Sequence, residues 1–215
     1  MSEVGLRSLA GLVMIMVALV AEWLGGTVFA ILVAAAATLM YYEWSRMVKG
    51  WGIGWNVAGF LYALIPALAL LWVRERAGLP FGAKGFELVL WVFIVTWSAD
   101  IGAFFTGRAF GGPKLAPSIS PNKTISGLVG GVIAASLLGG IWVEATGLSW
   151  PWLVLAPLFA VAAAAGDLFE SWLKRKAGVK DAGALIPGHG GVLDRLDGLV
   201  PVAVLTAVAV IAGLR

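Results

Sequence analysis

The sequence contains no cysteine and only one histidine. The absence of cysteine excludes disulfide bonds and thiolate metal sites, and it leaves the redox compartment open. A single histidine excludes metal sites built on a histidine pair. The pattern Gly-x-x-x-x-Gly-Lys-Ser/Thr is also missing, which excludes a standard P-loop NTPase.

Charged residues are scarce as well, at 13% of the 215 residues, whereas 60% are hydrophobic. Soluble domains are nearer 45–50% apolar, and a membrane-spanning helix needs about 20 mostly apolar residues. The alternating ten-residue patterns of a membrane barrel are absent, so helices are the remaining choice. The sequence therefore predicts an all-α, polytopic integral membrane protein with about seven transmembrane helices, near residues 6–23, 27–42, 50–73, 88–107, 125–143, 150–172 and 191–214.

The charges between these spans predict an orientation. With a cytoplasmic N-terminus, seven crossings place most of the fifteen lysines and arginines on the inner side, as the positive-inside rule requires. The polar segments 108–126 and 167–197 then lie on the same cytoplasmic side. We expect a single membrane domain, with N-terminal transmembrane helices over 1–85 and a catalytic transmembrane region over 86–215.

One stretch, residues 166–198, holds ten of the 27 charged side chains. A bilayer penalises buried charge, so a dense ionic cluster between two apolar spans indicates a function. Carboxylates on two successive helices can converge on a divalent cation, and neighbouring lysines and arginines suit phosphate oxygens. The stretch predicts phosphoryl or nucleotidyl transfer at a membrane surface. Its spacing puts two groups each on one helix face: Asp167, Glu170, Ser171 and Lys174, and then Asp194 and Asp197.

A second polar segment, residues 108–126, has three prolines and two glycines, which predicts a loop rather than a helix interior. Its donors suit a phosphate or a ribose, although an ordinary polar loop is the alternative interpretation. Asp100 lies inside the fourth predicted span, either as a site residue or as the structural partner of a lysine or arginine. In the fifth span, small residues between Gly127 and Ala135 favour close helix packing.

Both polar segments resemble the signature of the phosphatidate cytidylyltransferase (CDP-diacylglycerol synthase) family. The first match comprises Ser171, Lys174-Arg175, Lys180-Asp181, His189-Gly190-Gly191 and Asp194-Arg195-Leu196-Asp197. The second comprises Asp100, Gly107-Arg108 and Ser120-Pro121-Asn122-Lys123-Thr124. One departure is visible, because the family commonly has Glu-Gly where this sequence has Ser126-Gly127.

The resemblance implies transfer of the cytidylyl group of CTP to phosphatidate, giving CDP-diacylglycerol and pyrophosphate in phospholipid biosynthesis. It implies a bacterial inner membrane, an active site at the cytoplasmic face, and Mg²⁺, with a second cation such as K⁺ as an option. CTP, phosphatidate and membrane lipids are the expected partners, a homodimer is an option, and nucleic acid is not expected. The implied residues are Asp167, Asp194 and Asp197 for metal; Lys174, Arg175, Lys180, His189 and Arg195 for catalysis; and Asp100, Arg108, Ser120, Asn122, Lys123, Thr124 and Ser171 for substrate.

Two other functions stay open at this point. Another membrane CTP-transferase or lipid kinase could act on a different lipid phosphate. In an ion-coupled transporter, Asp100 and the acidic pairs would line an ion path, although we find no internal repeat of the kind that such proteins often show. Outside these roles, Lys176 is interpreted as a positive-inside anchor. Glu43 beside Trp44 resembles an early Glu-aromatic pair of the same family, although on its own it is interpreted as an interfacial acid.

Overall fold

The computed structural model describes the backbone of residues 3–76, 83–186 and 190–214. The regular secondary structure of the described residues is helical apart from one small β-hairpin. Its elements in order are α1 (Glu3–Leu24), α2 (Gly26–Met47), α3 (Ile53–Arg76), α4 (Ala83–Phe110), β1 (Lys114–Ala116), β2 (Ser120–Thr124), α5 (Ile125–Thr146), α6 (Pro151–Lys176), α7 (Leu193–Leu196) and α8 (Leu199–Ile211).

Five of these helices, α2 to α6, are long and apolar enough to cross a membrane. They carry large apolar side chains on their outer surfaces, such as Ile31, Phe105 and Leu137, each more than half exposed. Such surfaces suit contact with lipid. The helical class is thereby confirmed, whereas the count of about seven spans and the cytoplasmic N-terminus stay predictions, as does the division at residue 85.

The last predicted span, 191–214, is interrupted. Within it the structure has the single turn α7 and then α8, which is only 13 residues long. Pro201 has no N–H to donate to the carbonyl of Asp197, so a regular helix loses a hydrogen bond at this point. At about 1.5 Å per residue, α8 is about 20 Å long, which is short of the ~30 Å hydrocarbon core.

The polar segment 108–126 is more ordered than the predicted loop. α4 continues to Phe110, and β1 and β2 then pair as an antiparallel hairpin. Thr124 ends the hairpin and caps α5, because its hydroxyl accepts a hydrogen bond from Gly127 N at 3.0 Å. The prolines exclude helix at these positions, but they do not exclude a short strand at an edge.

Close packing of α4 and α5 confirms the expectation from the small residues. A Cβ atom on Gly131 would lie 2.6 Å from the carbonyl oxygen of Ala99, and one on Gly127 would lie 2.9 Å from that of Ala103. Only glycine permits the two backbones to approach this far. Trp91 lies on the same face of α4, near Gly139 of α5, and its ring meets that of Trp152 edge to face at 5.1 Å between centroids; both are fully buried.

A second core lies between α2, α3 and α6, around the buried indole of Trp44. The ring packs against Tyr62 and Phe169, with centroids 5.1 and 6.2 Å away, and its Nε1 donates to the carbonyl of Trp55 at 2.8 Å. A Cβ atom on Gly59 would lie 2.0 Å from Trp44 Cδ1. The absence of a side chain at residue 59 is therefore what lets α3 accept the indole.

We expect Gly59→Ala to lower the free energy of unfolding by about 1–3 kcal/mol, because the anchored indole cannot move away from the new methyl group. Gly54→Ala in the same helix is the matched control, since a Cβ atom there meets nothing within 4 Å. Thermal unfolding in detergent measures both variants. An equal melting temperature for Gly59→Ala and the unchanged protein would contradict the proposed contact.

Candidate active site

The site forms where α6 meets the α7–α8 junction, and two glycines allow the meeting. A Cβ atom on Gly166 would lie 2.4 Å from the carbonyl oxygen of Asp197, and Gly198 sits against Ala163 of α6. Asp167 and Asp197 are the immediate neighbours of these glycines in sequence. The close backbone contact therefore brings one carboxylate from each element to the same place.

Three carboxylates gather at this crossing. Asp167, Glu170 and Asp197 each offer an oxygen, and these oxygens lie within 4.8 Å of one another. Glu170 and Asp197 are buried, and Asp167 is partly buried. Ser171 donates a long hydrogen bond of 3.4 Å to Asp167. We call Asp167, Glu170 and Asp197 the acid cluster; its spacing is compatible with a shared cation.

Lys174 connects the acid cluster with Asp194. Its Nζ lies 2.7 Å from Glu170 Oε2 and 2.6 Å from Asp194 Oδ1. Asp194 also accepts backbone hydrogen bonds from Ala182 at 3.0 Å and from Gly191 at 2.7 Å. Its carboxylate thus ties the loop after α6 to α7, and protein donors already satisfy it.

The two aspartates of the sequence motif differ in electrostatics. Burial by itself would raise the pKa of Asp194, but the hydrogen bonds from Lys174 and from Gly191 N–H outweigh burial and hold that pKa below its usual value. For Asp197, burial and the nearby carboxylates of the acid cluster and Asp100 raise the pKa well above the usual value, and one hydrogen bond from Gly198 N–H opposes them. Among the described residues, Asp197 therefore has no lysine partner of the kind that Asp194 has in Lys174.

The hairpin between α4 and α5 also contacts the acid cluster. Lys123 of β2 forms an ion pair with Asp167, and Arg175 donates to the carbonyl of Ile119 between the two strands at 3.2 Å. Asp100 of α4 is close enough to interact electrostatically with Asp167, Lys123 and Arg195. The two polar segments predicted to share one side are thus in contact.

Glu43 of α2 binds the backbone where the loop after α6 leads into α7. Its carboxylate is 2% exposed and accepts hydrogen bonds from Val192 N at 3.1 Å and Leu193 N at 2.8 Å. A Cβ atom on Gly183 would lie 2.4 Å from this carboxylate, and one on Gly191 would lie 2.5 Å from it. Neither position therefore has room for a side chain. The interpretation of Glu43 as an interfacial acid is wrong, because the side chain is buried and caps the N-terminal turn of α7.

The other predicted residues occupy several places around the acid cluster. Thr124 caps α5 and Ser171 contacts Asp167, so both hydroxyls have protein partners. His189 lies outside the described residues, and its predicted role stays a prediction. Accessible positions are occupied by Ser120 and Asn122 on the hairpin, Arg108 at the end of α4, Lys180 in the loop after α6, and Arg195 in α7.

Three residues of the site were not assigned a role from sequence. Glu170 was placed on the correct helix face but not among the metal ligands. Glu43 is 149 residues away from Val192 in sequence, so no local pattern connects them. The hydroxyl of Tyr62 is buried without a hydrogen-bond partner among the described residues, close enough to the acid cluster to interact electrostatically. Its apolar context in α3 provides no signal.

The region that contains the acid cluster is similar to known proteins. Residues 54–212 match the cytidylyltransferase family. The chain is 49% identical over 177 residues to a phosphatidate cytidylyltransferase of Brucella suis biovar 1, which covers 81% of this chain and 62% of the relative. It is 39% identical over 168 residues to that of Pseudomonas aeruginosa, covering 76% and 60%, and 46% identical over 122 residues to that of Haemophilus influenzae, covering 54% and 42%. The match thus spans about 62% or less of these curated relatives.

We expect Glu43→Gln to destabilise the loop before α7, because the amide nitrogen of glutamine cannot accept from Val192 N or Leu193 N. Loss of one charge-assisted hydrogen bond costs about 1.5–3 kcal/mol. Limited proteolysis between residues 178 and 192 measures the loop, and Glu144→Gln, at an exposed position on α5, is the control. Cleavage rates that are equal in the two variants would contradict the capping role.

Proposed function

The chain belongs to the cytidylyltransferase family, and from this premise we propose that it transfers the cytidylyl group of CTP to phosphatidate, giving CDP-diacylglycerol and pyrophosphate. The relatives that it resembles are bacterial phosphatidate cytidylyltransferases. Their names supply the substrate pair for the proposal. We further propose an active site on the cytoplasmic side of a bacterial inner membrane, because the polar segments carry most of the positive charge.

A single observation carries the proposal: carboxylates from α6 and from the α7–α8 junction meet lysines from two segments at one end of the helical bundle. The acid cluster supplies the negative charge, and Lys123 and Lys174 approach it from the hairpin and from α6. Transfer between CTP and a phosphomonoester must bring two polyanions together. A site with both signs of charge, placed at the end of apolar helices, is suited to that requirement.

The acid cluster fits a divalent cation. Mg²⁺ binds oxygens at about 2.0–2.1 Å, so two ligands of one ion lie about 3–4 Å apart. The three oxygens are within 4.8 Å of one another, and shifts of less than about 1 Å would bring them to this spacing. We propose Asp167, Glu170 and Asp197 as the residues that hold Mg²⁺, which when bound would neutralise phosphate charge. The role of Asp194 as a ligand stays a prediction, since its oxygens already have donors.

The nucleophile needs little activation by this chain. The second pKa of a phosphomonoester is about 6, so the phosphate of phosphatidate is largely dianionic at neutral pH. Its oxygen would attack the α-phosphorus of CTP in line, forming the new P–O bond as the bond to pyrophosphate breaks. We propose that Lys123, Lys180 and Arg195 bind phosphate oxygens, while Lys174 is fixed between Glu170 and Asp194.

The accessible residues of the hairpin suit the rest of the nucleotide. Ser120 and Asn122 lie on β2, next to the lysine that contacts Asp167. Arg108 lies in the last turn of α4, on the approach to the hairpin. We propose that these residues bind the nucleotide or the lipid phosphate. The acyl chains of phosphatidate would remain among the apolar helix surfaces that suit lipid.

The reaction is tested with the purified protein in lipid nanodiscs, α-labelled CTP and phosphatidate. We expect label to enter lipid with release of one pyrophosphate per transfer, and only when a divalent cation is present. A panel of other lipid phosphates identifies the preferred acceptor. Label transfer from γ-labelled rather than α-labelled CTP would indicate a lipid kinase, and cation flux without transfer would indicate a transporter.

The metal assignment predicts different defects for the two aspartates of the motif. Asp197→Asn removes a proposed ligand, so we expect turnover to fall by at least about tenfold to a hundredfold and half-saturation to need more Mg²⁺. Asp194→Asn breaks a buried ion pair, so we expect a loss of about 3 kcal/mol in unfolding free energy with the Mg²⁺ requirement unchanged. Mg²⁺ titrations and thermal unfolding separate these effects, with Glu75→Gln at an exposed position as control. A raised Mg²⁺ requirement in Asp194→Asn alone would reverse the assignment.

A further inference from the structure

Lys176, the last residue of α6, has its ammonium group among three indole rings. Its Nζ lies 4.5 Å from the ring centroid of Trp55, 4.9 Å from that of Trp51 and 5.1 Å from that of Trp172. All three distances are within the ~6 Å range of a cation–π interaction, for which tryptophan is the best partner. We call Trp51, Trp55 and Trp172 the tryptophan cage.

The tryptophan cage joins two parts of the fold. Trp51 lies between α2 and α3, Trp55 lies in the first turn of α3, and Trp172 lies one turn before Lys176 on α6. The rings also contact each other, with centroids 5.0 Å apart for Trp51 and Trp55 and 6.3 Å apart for Trp55 and Trp172. A cation inside the cage therefore attracts α6 and the start of α3 to the same point.

A positive-inside anchor requires a charge but no ring faces around it. At that interface a lysine normally extends to water or to lipid phosphates. Lys176 is an exposed residue, but its ammonium also lies over aromatic faces from a segment more than 120 residues earlier in the sequence. The carbonyl of Trp55 also accepts the hydrogen bond from the buried Trp44, so the cage is attached to the second core.

Lys176 follows Lys174 by two residues, and two helical residues are about 200° apart around the axis. Lys174 therefore points to Glu170 and Asp194 while Lys176 points to the other side of α6. We propose that Lys176 is a positioning residue. Its ammonium, bound in the tryptophan cage, fixes the end of α6 so that Lys174 stays between Glu170 and Asp194. The part of the proposal that concerns turnover rests on the proposed function.

The first test removes the cation and keeps the volume. We expect Lys176→Met to lower kcat for CTP by about threefold to tenfold, with KM for CTP within twofold, because the end of α6 moves while the binding groups remain. Lys176→Arg should retain kcat within about twofold, since a guanidinium also binds indole faces. Lys49→Met, at an exposed position in the turn after α2, is the matched lysine control.

A second readout does not depend on the enzymatic reaction. In protein labelled with 5-fluorotryptophan, the ¹⁹F resonances of Trp51, Trp55 and Trp172, assigned by Trp→Phe substitution, should shift in Lys176→Met and stay in place in Lys49→Met. Lys176→Ala leaves the cage open. Tetramethylammonium at millimolar concentration should then bind between α3 and α6, return the three resonances toward their original positions and restore part of kcat, whereas NaCl at equal ionic strength should not.

The outcomes separate the two proposals. If the three resonances are unchanged in Lys176→Met, or if tetramethylammonium acts no differently from NaCl, the tryptophan cage does not hold the ammonium. If the resonances shift but kcat equals that of Lys49→Met, the positioning role is overturned. If the unchanged protein transfers no cytidylyl group, the proposed function fails, and the ¹⁹F response with proteolysis of the loop after α6 still decides whether the cage fixes this end of the helix.

Discussion

Repulsion between buried carboxylates is the constraint on which this structure depends. Two negative charges about 5 Å apart repel by about 3 kcal/mol at an effective dielectric constant of 20, and the acid cluster contains three such pairs. The described residues oppose this repulsion with lysines from separate elements, Lys123 on Asp167 and Lys174 on Glu170. Within the described part of the chain, Asp197 has only a backbone donor, so the arrangement retains an excess of negative charge. An excess of this kind suits the divalent cation that we propose for the acid cluster.

Glycine is what permits the carboxylates to meet at all. Gly166 lets the carbonyl of Asp197 come against α6, and Gly191 leaves room for Glu43, whose carboxylate then accepts from the first N–H groups of α7. A methyl group at either glycine would overlap with these neighbours. The polar groups and the glycines therefore act together, since Asp167 and Asp197 are each adjacent to a glycine in sequence and Glu43 fills the space beside Gly191.

Much of this organisation could be predicted from sequence. Apolar runs locate α2 to α6 because the bilayer requires long hydrophobic helices, and helical spacing places Asp167 and Glu170 on one face. Other features could not be predicted. The capping of α7 by Glu43 joins residues 150 apart, and the sharing of Lys174 between Glu170 and Asp194 joins α6 to α7. These features are set by tertiary contacts, for which a single sequence has no local signal.

The three basic residues at the end of α6 show why this distinction matters for function. In the sequence, Lys174, Arg175 and Lys176 form one run of positive charge. On a helix, successive residues are about 100° apart, so the run divides into three directions. Lys174 meets Glu170 and Asp194, Arg175 meets the hairpin, and Lys176 meets the tryptophan cage. The end of α6 is thus held from three sides by charge. At this point α6 leaves its apolar packing, and without such contacts its last turn would fray. The three contacts therefore keep the acid cluster in place.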